Sequence, residues 1–278
     1  MDSFNKIEIG LVSERMIAVD STNTELVRRL QSGAALPEGF VLSAHHQTQG
    51  RGQGGTPWHT QAGTNWTGSI YLQPAHLSAD LGFRLSQVAA LATVRVCEVL
   101  LREYFSHPRL VSPSGKGTDY SNKTGKISIK WPNDILVDDR KIAGILIQTG
   151  LQGQRLAWAV IGIGLNVNQL DFPPGLNRPA CSLAMLTGQT IDIDEVQSTL
   201  IQALQTEYVR SQDDLAQALN QDYQSLLYRR GELATYREQG QARTFVGILR
   251  GTDAEGRLLL DGPDGRLRTY DPKSIVFV

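Results

Sequence analysis

The 278-residue sequence lacks the features that mark several classes of protein. Its two cysteines, Cys97 and Cys181, form no C-x-x-C pair and have no histidine cluster beside them, which argues against a disulfide framework or a cysteine-based zinc site. No apolar run reaches the roughly 18 residues of a membrane-spanning helix, and no secretory signal pattern opens the chain. We therefore expect a cytoplasmic protein without membrane contact, in which Cys97 is a buried helical residue.

A strong charge of either sign is also missing. The formal net charge is -1 and the isoelectric point is about 6.5, so the chain lacks the positive excess typical of nucleic-acid-binding proteins. Hydrophobic residues make up 41% and charged residues 20%, as is usual for a globular protein. This length accommodates one large domain, or a large and a small one.

Hydrophobic periodicity and turn residues predict an α+β fold, with a mixed sheet and packed helices. Helices are predicted at residues 23–32, 82–103, 193–210 and 212–229. Strands are predicted at residues 40–44, 69–72, 127–131, 134–137, 141–148 and 156–163. The sequence Thr22–Glu25 has the form of a capping box, with Thr22 as N-cap and Gly33 as the stop after the helix.

The character of the sequence changes after Arg230. Short apolar segments at 245–249, 258–260 and 274–277 alternate with turns rich in glycine and aspartate. This pattern is typical of a small β-barrel. We predict a larger domain at residues 1–230 and a β-barrel domain at residues 231–278.

The strongest chemical signal is the segment from Gln47 to Trp58. Four of the six residues from Gly50 to Gly55 are glycine, which is poor core material but allows the backbone to approach a ligand closely and bind an anion through its N–H groups. Arg51 adds a permanent positive charge suited to a carboxylate or phosphate. Trp58 adds a flat apolar surface.

Two nucleotide-binding motifs are excluded. Residues 50–55 match G-x-G-x-x-G formally, but the following Thr56-Pro57-Trp58-His59 is not the helix start that a dinucleotide fingerprint requires. The phosphate-binding pattern G-x-x-x-x-G-K-[ST] does not occur.

Two further segments carry candidate ligand-binding residues. In Lys130-Trp131-Pro132-Asn133-Asp134, a lysine lies at the end of a predicted strand and a proline fixes the corner. Alone, Lys130 would be interpreted as a solvated strand residue, but together with the glycine segment it suggests an anion clamp. The segment 162–168 ends a strand with small residues and amides, and a strand-ending turn explains it equally well.

With these residues in view, the sequence resembles the biotin protein ligases, in the short form without an N-terminal DNA-binding domain. Five segments occur in the family's order and near its spacing. They are Asp20-Ser21-Thr22-Asn23, Gln47 to Trp58, Lys130 to Asp134, Lys141 to Leu146, and Gly162 to Asn166.

The resemblance implies a set of site residues. The biotin site would be lined by Ser21, Thr22, Asn23, Gln47, Gly50, Arg51, Gly52, Gln53, Trp58, Lys130 and Gly144. The nucleotide would be bound by Arg51, Gly52, Gln53, Lys130, Asn133 and Asn166, with Gly144 nearby. Lys130 and Arg51 would be catalytic, contacting the biotin carboxylate and the α-phosphate. No protein side chain is assigned to a metal.

The resemblance also implies the reaction and its partners. ATP and biotin are the substrates, Mg²⁺ accompanies the ATP phosphates, and the acceptor is a lysine of a biotin carboxyl carrier protein. No nucleic acid is involved, and a homodimer is compatible with the family. The fold would be the class II synthetase-like catalytic domain followed by an SH3-like barrel.

The sequence departs from the family pattern in two places. Many members carry arginine where this chain has Gln53, and often a basic residue at the position of Thr56, so retention of the adenylate is in question. The segment 106–126 is longer and more basic than expected. Its Lys116, Lys123 and Lys126 either attract an acidic carrier or belong to a solvated linker.

Three alternatives remain at this point. A lipoate or octanoate ligase shares the fold and the adenylate chemistry, although the segments at 47–58 and 130–134 are closer to the biotin branch. A biotin-binding repressor would carry a DNA-binding domain before Asp20. A non-catalytic binding module would not need both Arg51 and Lys130.

Overall fold

The computed structural model describes residues 7–106, 125–212 and 215–278, which form two β-sheets with helices packed against the larger one. The larger sheet has seven strands in the order β1-β2-β3-β7-β6-β5-β4, and the smaller has five in the order β11-β10-β9-β8-β12. β1 and β2 are parallel, and the other pairs in both sheets are antiparallel. The predicted mixed α+β fold is confirmed.

The strands of the larger sheet are β1 (Ser13–Val19), β2 (Val41–Gln47), β3 (Trp66–Leu72), β4 (Ile127–Lys130), β5 (Asp134–Val137), β6 (Arg140–Gln152) and β7 (Arg155–Leu165). Those of the smaller sheet are β8 (Leu233–Glu238), β9 (Thr244–Thr252), β10 (Leu258–Asp261), β11 (Leu267–Tyr270) and β12 (Ile275–Phe277). The helices are α1 (Thr22–Gln31), α2 (Phe83–Ser106), α3 (Leu183–Thr187), α4 (Ile193–Arg210) and α5 (Ala216–Ser225). None of the helices in the described ranges is long and apolar enough to cross a membrane.

The larger sheet has a different partner on each face. Helix α1 covers a small cluster built around Leu26, Leu42, Tyr71 and Val160. The opposite face packs against α2, and the resulting core continues into the smaller sheet. Since successive side chains of a strand point to opposite faces, the residues that share the α1 face with Val160 in β7 are the even-numbered ones.

Several predicted elements have different boundaries in the structure. Helix α1 is capped by Ser21, whose hydroxyl accepts a hydrogen bond from the Thr24 N–H at 3.5 Å, so the predicted capping box with Thr22 as N-cap is wrong. The physical reason is that the Thr22 hydroxyl is engaged by the neighbouring strands. Gly33 has a φ of 80° and follows the helix as predicted.

Other elements were not predicted or are shorter than predicted. Strand β1 was missed because it is an exposed edge strand without a clear alternation of apolar residues. Strands β8 and β11 and the short helix α3 were missed as well. Helix α5 ends at Ser225, ahead of the predicted 229, because the chain then pairs with β4 through the Tyr228 N–H and the Ile129 carbonyl, 2.9 Å apart.

The predicted hairpin between β5 and β6 is confirmed, with Asp138 in its turn at a φ of 54°. Cys97 is buried in α2, as predicted. Most of the basic segment 106–126, including Lys116 and Lys123, lies outside the described residues.

The smaller sheet packs closely against the larger sheet and its helices. The buried indole of Trp131 donates a hydrogen bond to the Gly256 carbonyl at 2.8 Å. Gly256 has a φ of 84°, and a Cβ there would lie 2.1 Å from the ring of Phe83 in α2. Only a glycine allows this close approach. The buried apolar residues of the two sheets form one continuous core.

Candidate active site

Glycines on the α1 face of β6 and β7 form the floor of the main cavity, which has a volume of about 740 Å³. Gly144 in β6 is paired directly with Gly164 in β7, and Gly162 lies two residues before Gly164 on the same face. The opposite face of the same strands carries buried isoleucines. The absence of side chains on one face therefore opens a trough without thinning the core below it.

A polar cluster closes one end of this trough at the start of α1. The Thr22 N–H donates to Gln47 Oε1 at 2.8 Å, and the Thr22 and Ser69 hydroxyls are hydrogen-bonded at 2.8 Å. Asn23 lies over Gly162 and donates to the Leu146 carbonyl at 3.1 Å. Its Oδ1 is buried and has no hydrogen-bond partner among the residues that the structure describes. A buried acceptor without a donor is rare and points to a ligand N–H.

The glycine segment forms a closed loop above the trough. The Trp58 N–H donates to the Gly50 carbonyl at 2.8 Å, and the Gly52 N–H donates to the Thr56 carbonyl at 2.7 Å. Residues Gln53–Gly55 form a short 3₁₀ turn, with Gly54 at a φ of 72°. The helix required by a dinucleotide fingerprint is therefore not present after the loop, in agreement with the sequence prediction.

Arg51 extends from this loop into the cavity lining, and its side chain is exposed. Burial opposes ionisation of the nearby Asp20, but hydrogen bonds from the Ser21 N–H and from Arg28 outweigh burial and lower the pKa of this carboxyl. The positive charge of Arg51 adds a smaller contribution in the same direction. Asp20 is thus a weak base.

Lys130 enters the cavity from the end of β4. The Trp131–Pro132 peptide that follows is cis. The Lys130 ammonium lies 3.8 Å from Asp134, which also binds Lys141 at 2.6 Å. Burial lowers the pKa of Lys130; Asp134 opposes this shift, whereas Arg178 and Lys141 add to it. Asp134 is the one carboxylate among the described residues that line the cavity.

Trp58 covers the other end of the trough. A Cβ on Gly164 would lie 2.4 Å from its indole ring, and one on Gly144 would lie 3.0 Å from it. The Lys141 ammonium lies 5.4 Å from the ring centroid. The buried Trp58 Nε1 has no hydrogen-bond partner among the described residues. Trp58 is therefore grouped with Gly144, away from the polar end.

The two predicted asparagines connect the cavity wall to the backbone. Asn133 donates to the Ile145 carbonyl at 2.9 Å, and Asn166 donates to the Cys181 carbonyl at 3.0 Å. The Asn166 Oδ1 is buried without a partner in the described part of the chain. Burial raises the pKa of the Cys181 thiol to about 11, so this cysteine is a poor nucleophile.

The smaller sheet completes the cavity wall. Lys273 and Phe277 belong to its last turn and strand, and the Phe277 ring centroid lies 5.2 Å from the Lys130 ammonium. The cavity is thus built jointly by both sheets.

The structure brings together all but one of the predicted site residues. The residues that line the cavity are Ser21, Thr22, Asn23, Gln47, Arg51, Gly52, Gln53, Trp58, Lys130, Asn133, Gly144 and Asn166. Gly50 is buried behind the loop, where a Cβ would lie 2.5 Å from the Trp58 carbonyl oxygen. Its role in the structure is to close the loop.

Sequence reasoning assigned no site role to several lining residues. Lys141, Gly162 and Gly164 belong to the matched segments without a role of their own, and the residues outside those segments are Ser69, Arg178, Lys273 and Phe277. Ser69 was detectable as a polar residue in an apolar strand, and the two glycines as small residues alternating with Ile161, Ile163 and Leu165. The residues of the last turn gave no comparable signal.

Comparison with known proteins agrees with this arrangement. Residues 16–166 match the model of the Biotin/lipoate A/B protein ligase family. The chain is 32% identical over 260 residues to the biotin–[acetyl-CoA-carboxylase] ligase of Paracoccus denitrificans, covering 89% of this chain and 93% of the relative. It is 31% identical over 276 residues to the bifunctional ligase/repressor BirA of Bacillus spizizenii, covering 96% and 77%.

The fold also resembles that of a solved structure, the biotin protein ligase from Aquifex aeolicus in complex with biotin and ATP. The TM-score is 0.70, with 23% sequence identity, and the match covers 96% of this chain and 99% of that chain. At this identity the match concerns the fold alone.

Proposed function

Because the chain belongs to the biotin/lipoate A/B protein ligase family, we propose that it is an ATP-dependent biotin protein ligase. It would activate biotin as biotinyl-5'-AMP and transfer the acyl group to a lysine of a biotin carboxyl carrier protein. The observation that carries this proposal is one cavity with a polar end, two cations from distant segments and a glycine floor.

The polar end at α1 supports biotin as the acid. The ureido ring of biotin offers N–H donors, and the buried Asn23 Oδ1 is an acceptor without a partner among the described residues. The neighbouring Thr22, Ser69 and Gln47 add further polar atoms. The dithiolane ring of lipoate and the alkyl chain of octanoate have no N–H group, so they would leave Asn23 unsatisfied.

The middle of the cavity supports adenylation. A biotin carboxylate oxygen would attack the α-phosphorus of ATP, and the bond to the β-phosphate would break with release of pyrophosphate. Arg51 and Lys130 would offset the negative charge that builds on the transferred phosphate. Mg²⁺ would arrive with the ATP phosphates, since the lining carboxylate, Asp134, is already engaged by two lysines.

The glycine floor under Trp58 supports binding of the nucleoside. We place the adenine base there, between the Gly144–Gly164 pair and the loop, near the unpartnered Asn166 Oδ1 and Trp58 Nε1. This assigns Trp58 to the nucleotide, although the sequence resemblance had placed it with biotin. No protein nucleophile is required, because the acceptor lysine attacks the acyl carbon and AMP leaves with the bonding electrons.

The low basicity of Asp20 bears on the second step. An ion-paired carboxylate with a lowered pKa accepts a proton poorly. Asp20 is therefore a poor base for the acceptor lysine. The use of ATP and a carrier protein agrees with a cytoplasmic location.

The decisive experiment is a mass shift on a purified biotin carboxyl carrier domain. Incubation with the protein, biotin and MgATP should add one biotinyl group, and omission of either substrate should prevent it. Parallel reactions with lipoate and octanoate test the alternative. Modification by lipoate or octanoate with none by biotin would overturn the proposal, and binding of biotin without any adenylate would favour a regulatory protein.

A further inference from the structure

Lys273 occupies an unusual position in the last turn of the smaller sheet. It lies between Pro272 and Ser274, and the turn is closed by a hydrogen bond from the Ser274 N–H to the Asp271 carbonyl at 3.0 Å. Its φ is 72°, a left-handed conformation that favours glycine at the third position of such a turn. A lysine therefore takes a backbone conformation in which a side chain is disfavoured.

The side chain of Lys273 reaches across the cavity mouth to the glycine loop. A Cβ on Gly54 would lie 2.3 Å from the Lys273 Nζ and 2.7 Å from its Cε. Gly54 is thus the residue that leaves room for the lysine head group. Lys273, in the turn before β12, and Arg51, in the glycine loop, line the same cavity.

The charge of Lys273 is not neutralised within the described part of the chain. Lys130 and Lys141 share Asp134, and Arg178 is paired with Asp139 at 3.7 Å. Neither Lys273 nor Arg51 occurs in an ion pair among the described residues. Gln53, next to Gly54 in the loop, contributes no charge.

We propose that Lys273 binds the β- and γ-phosphates of ATP and the departing pyrophosphate. This inference rests on the proposed adenylation reaction. When Arg51 and Lys130 hold the α-phosphate, the remaining phosphates extend toward the mouth, where the Lys273 ammonium meets the N–H groups of the glycine loop. The C-terminal module thus supplies a cation to the first half-reaction.

This role differs from that of a latch that merely holds the loop. Biotinyl-5'-AMP has no β- or γ-phosphate, so its binding and the transfer step should not depend on Lys273. A latch would affect both half-reactions, because the loop covers the adenylate as well as ATP.

The test compares Lys273→Gln, Lys273→Gly and Lys273→Arg in both half-reactions. With Gln or Gly, the KM for ATP and, in the reverse reaction, the KM for pyrophosphate should rise roughly tenfold, the loss expected for one charge-assisted contact. The KM for biotin and the rate of transfer from preformed biotinyl-5'-AMP should stay within twofold. Lys273→Arg should restore ATP binding.

Two controls separate the possible causes. Lys273→Gly suits the turn better than lysine does, so a lower melting temperature is not expected and cannot explain its loss of ATP binding. Arg266→Gln removes an exposed cation from the same module, with a side chain 86% exposed and outside the cavity lining, and should change neither KM.

The outcomes distinguish this inference from the proposed function. An unmodified protein that makes no biotinyl-5'-AMP would refute the function itself. Normal adenylation by the unmodified protein, with unchanged KM values for ATP and pyrophosphate in Lys273→Gln, would refute the phosphate contact alone. Faster release of preformed biotinyl-5'-AMP from that variant would show a latch and also refute it.

Discussion

Lys130 illustrates how a single residue acquires its chemistry from its surroundings. In the sequence it is the last residue of a short strand, and its neighbours suggest a fixed corner. In the structure, burial lowers its pKa, and Arg178 and Lys141 add to the shift. Since one carboxylate, Asp134, serves both Lys130 and Lys141, an anionic ligand can supply the charge that compensates the second cation.

The lowered pKa predicts a particular pH dependence. Lys130 loses its proton at a lower pH than an ordinary lysine, so adenylation, followed as pyrophosphate exchange, should slow on the alkaline side as the neutral form accumulates. Lys130→Arg should abolish this alkaline limb, because a guanidinium stays protonated. Lys130→Ala should slow adenylation by about 10²–10³-fold at neutral pH, the typical cost of one preorganised donor.

Pyrophosphate exchange measured from pH 6 to about pH 10 provides the test. Lys126→Arg, an exposed lysine just before the same strand, serves as the control and should keep the alkaline limb. An alkaline limb that persists in Lys130→Arg would assign the titration to another group. Normal exchange by Lys130→Ala would remove Lys130 from the mechanism.

At the scale of elements, β7 forms the floor under both ends of the cavity. Two glycines on one face of this strand lie under different side chains, Gly162 under Asn23 and Gly164 under Trp58. Their spacing of two residues keeps both on the same face. A strand with a regular alternation of glycine and isoleucine thus forms a flat floor on one side and a tight core on the other.

Adding a methyl group at each glycine should affect different substrates. Gly162→Ala would place a Cβ 2.8 Å from Asn23 Nδ2 and should raise the KM for biotin. Gly164→Ala would place a Cβ 2.4 Å from the Trp58 ring and should raise the KM for ATP. We expect effects of about ten- to a hundredfold, because each added methyl group would displace the side chain that lies over the glycine.

Steady-state kinetics on both variants, with each substrate varied in turn, test this division. Each variant controls for the other, because both add one methyl group to the same face of the same strand. If both substitutions weaken binding of the same substrate, the assignment of the two ends is wrong.

At the scale of the whole molecule, the small C-terminal sheet forms part of the candidate active site. Its strand β12 and the preceding turn line the cavity, and its hydrophobic residues continue the main core. Trp131 follows Lys130 directly and donates to the Gly256 carbonyl at 2.8 Å. The packing of the smaller sheet therefore helps to fix the position of Lys130.

Trp131→Phe should weaken this link. The substitution leaves the Gly256 carbonyl without its donor and should lower the free energy of unfolding by about 1–3 kcal/mol. Urea unfolding followed by far-UV circular dichroism should still give one transition, because the core is continuous. Two separate transitions in the unmodified protein would contradict a shared core.

Much of the site could be predicted from the sequence because its signals are local. The glycine segment with Arg51, the proline corner after Lys130 and the polar start of α1 each depend on residues within a few positions of one another. The spacing of apolar residues similarly predicted the hairpin of β5 and β6 and the long helix α2. These patterns reflect backbone entropy, fixed dihedral angles and burial of one face, which act over short stretches of chain.

The remaining features were decided by the tertiary structure. The hydroxyl of Thr22 does not cap the helix as predicted but is hydrogen-bonded to Gln47 and Ser69, because two strands bring those side chains beside it. The grouping of Trp58 with Gly144 and Gly164, the lowered pKa of Lys130 and the approach of Lys273 to Gly54 all depend on strand register and on the docking of the second sheet. Register and docking arise from contacts between residues far apart in the chain, and no local pattern encodes their geometry.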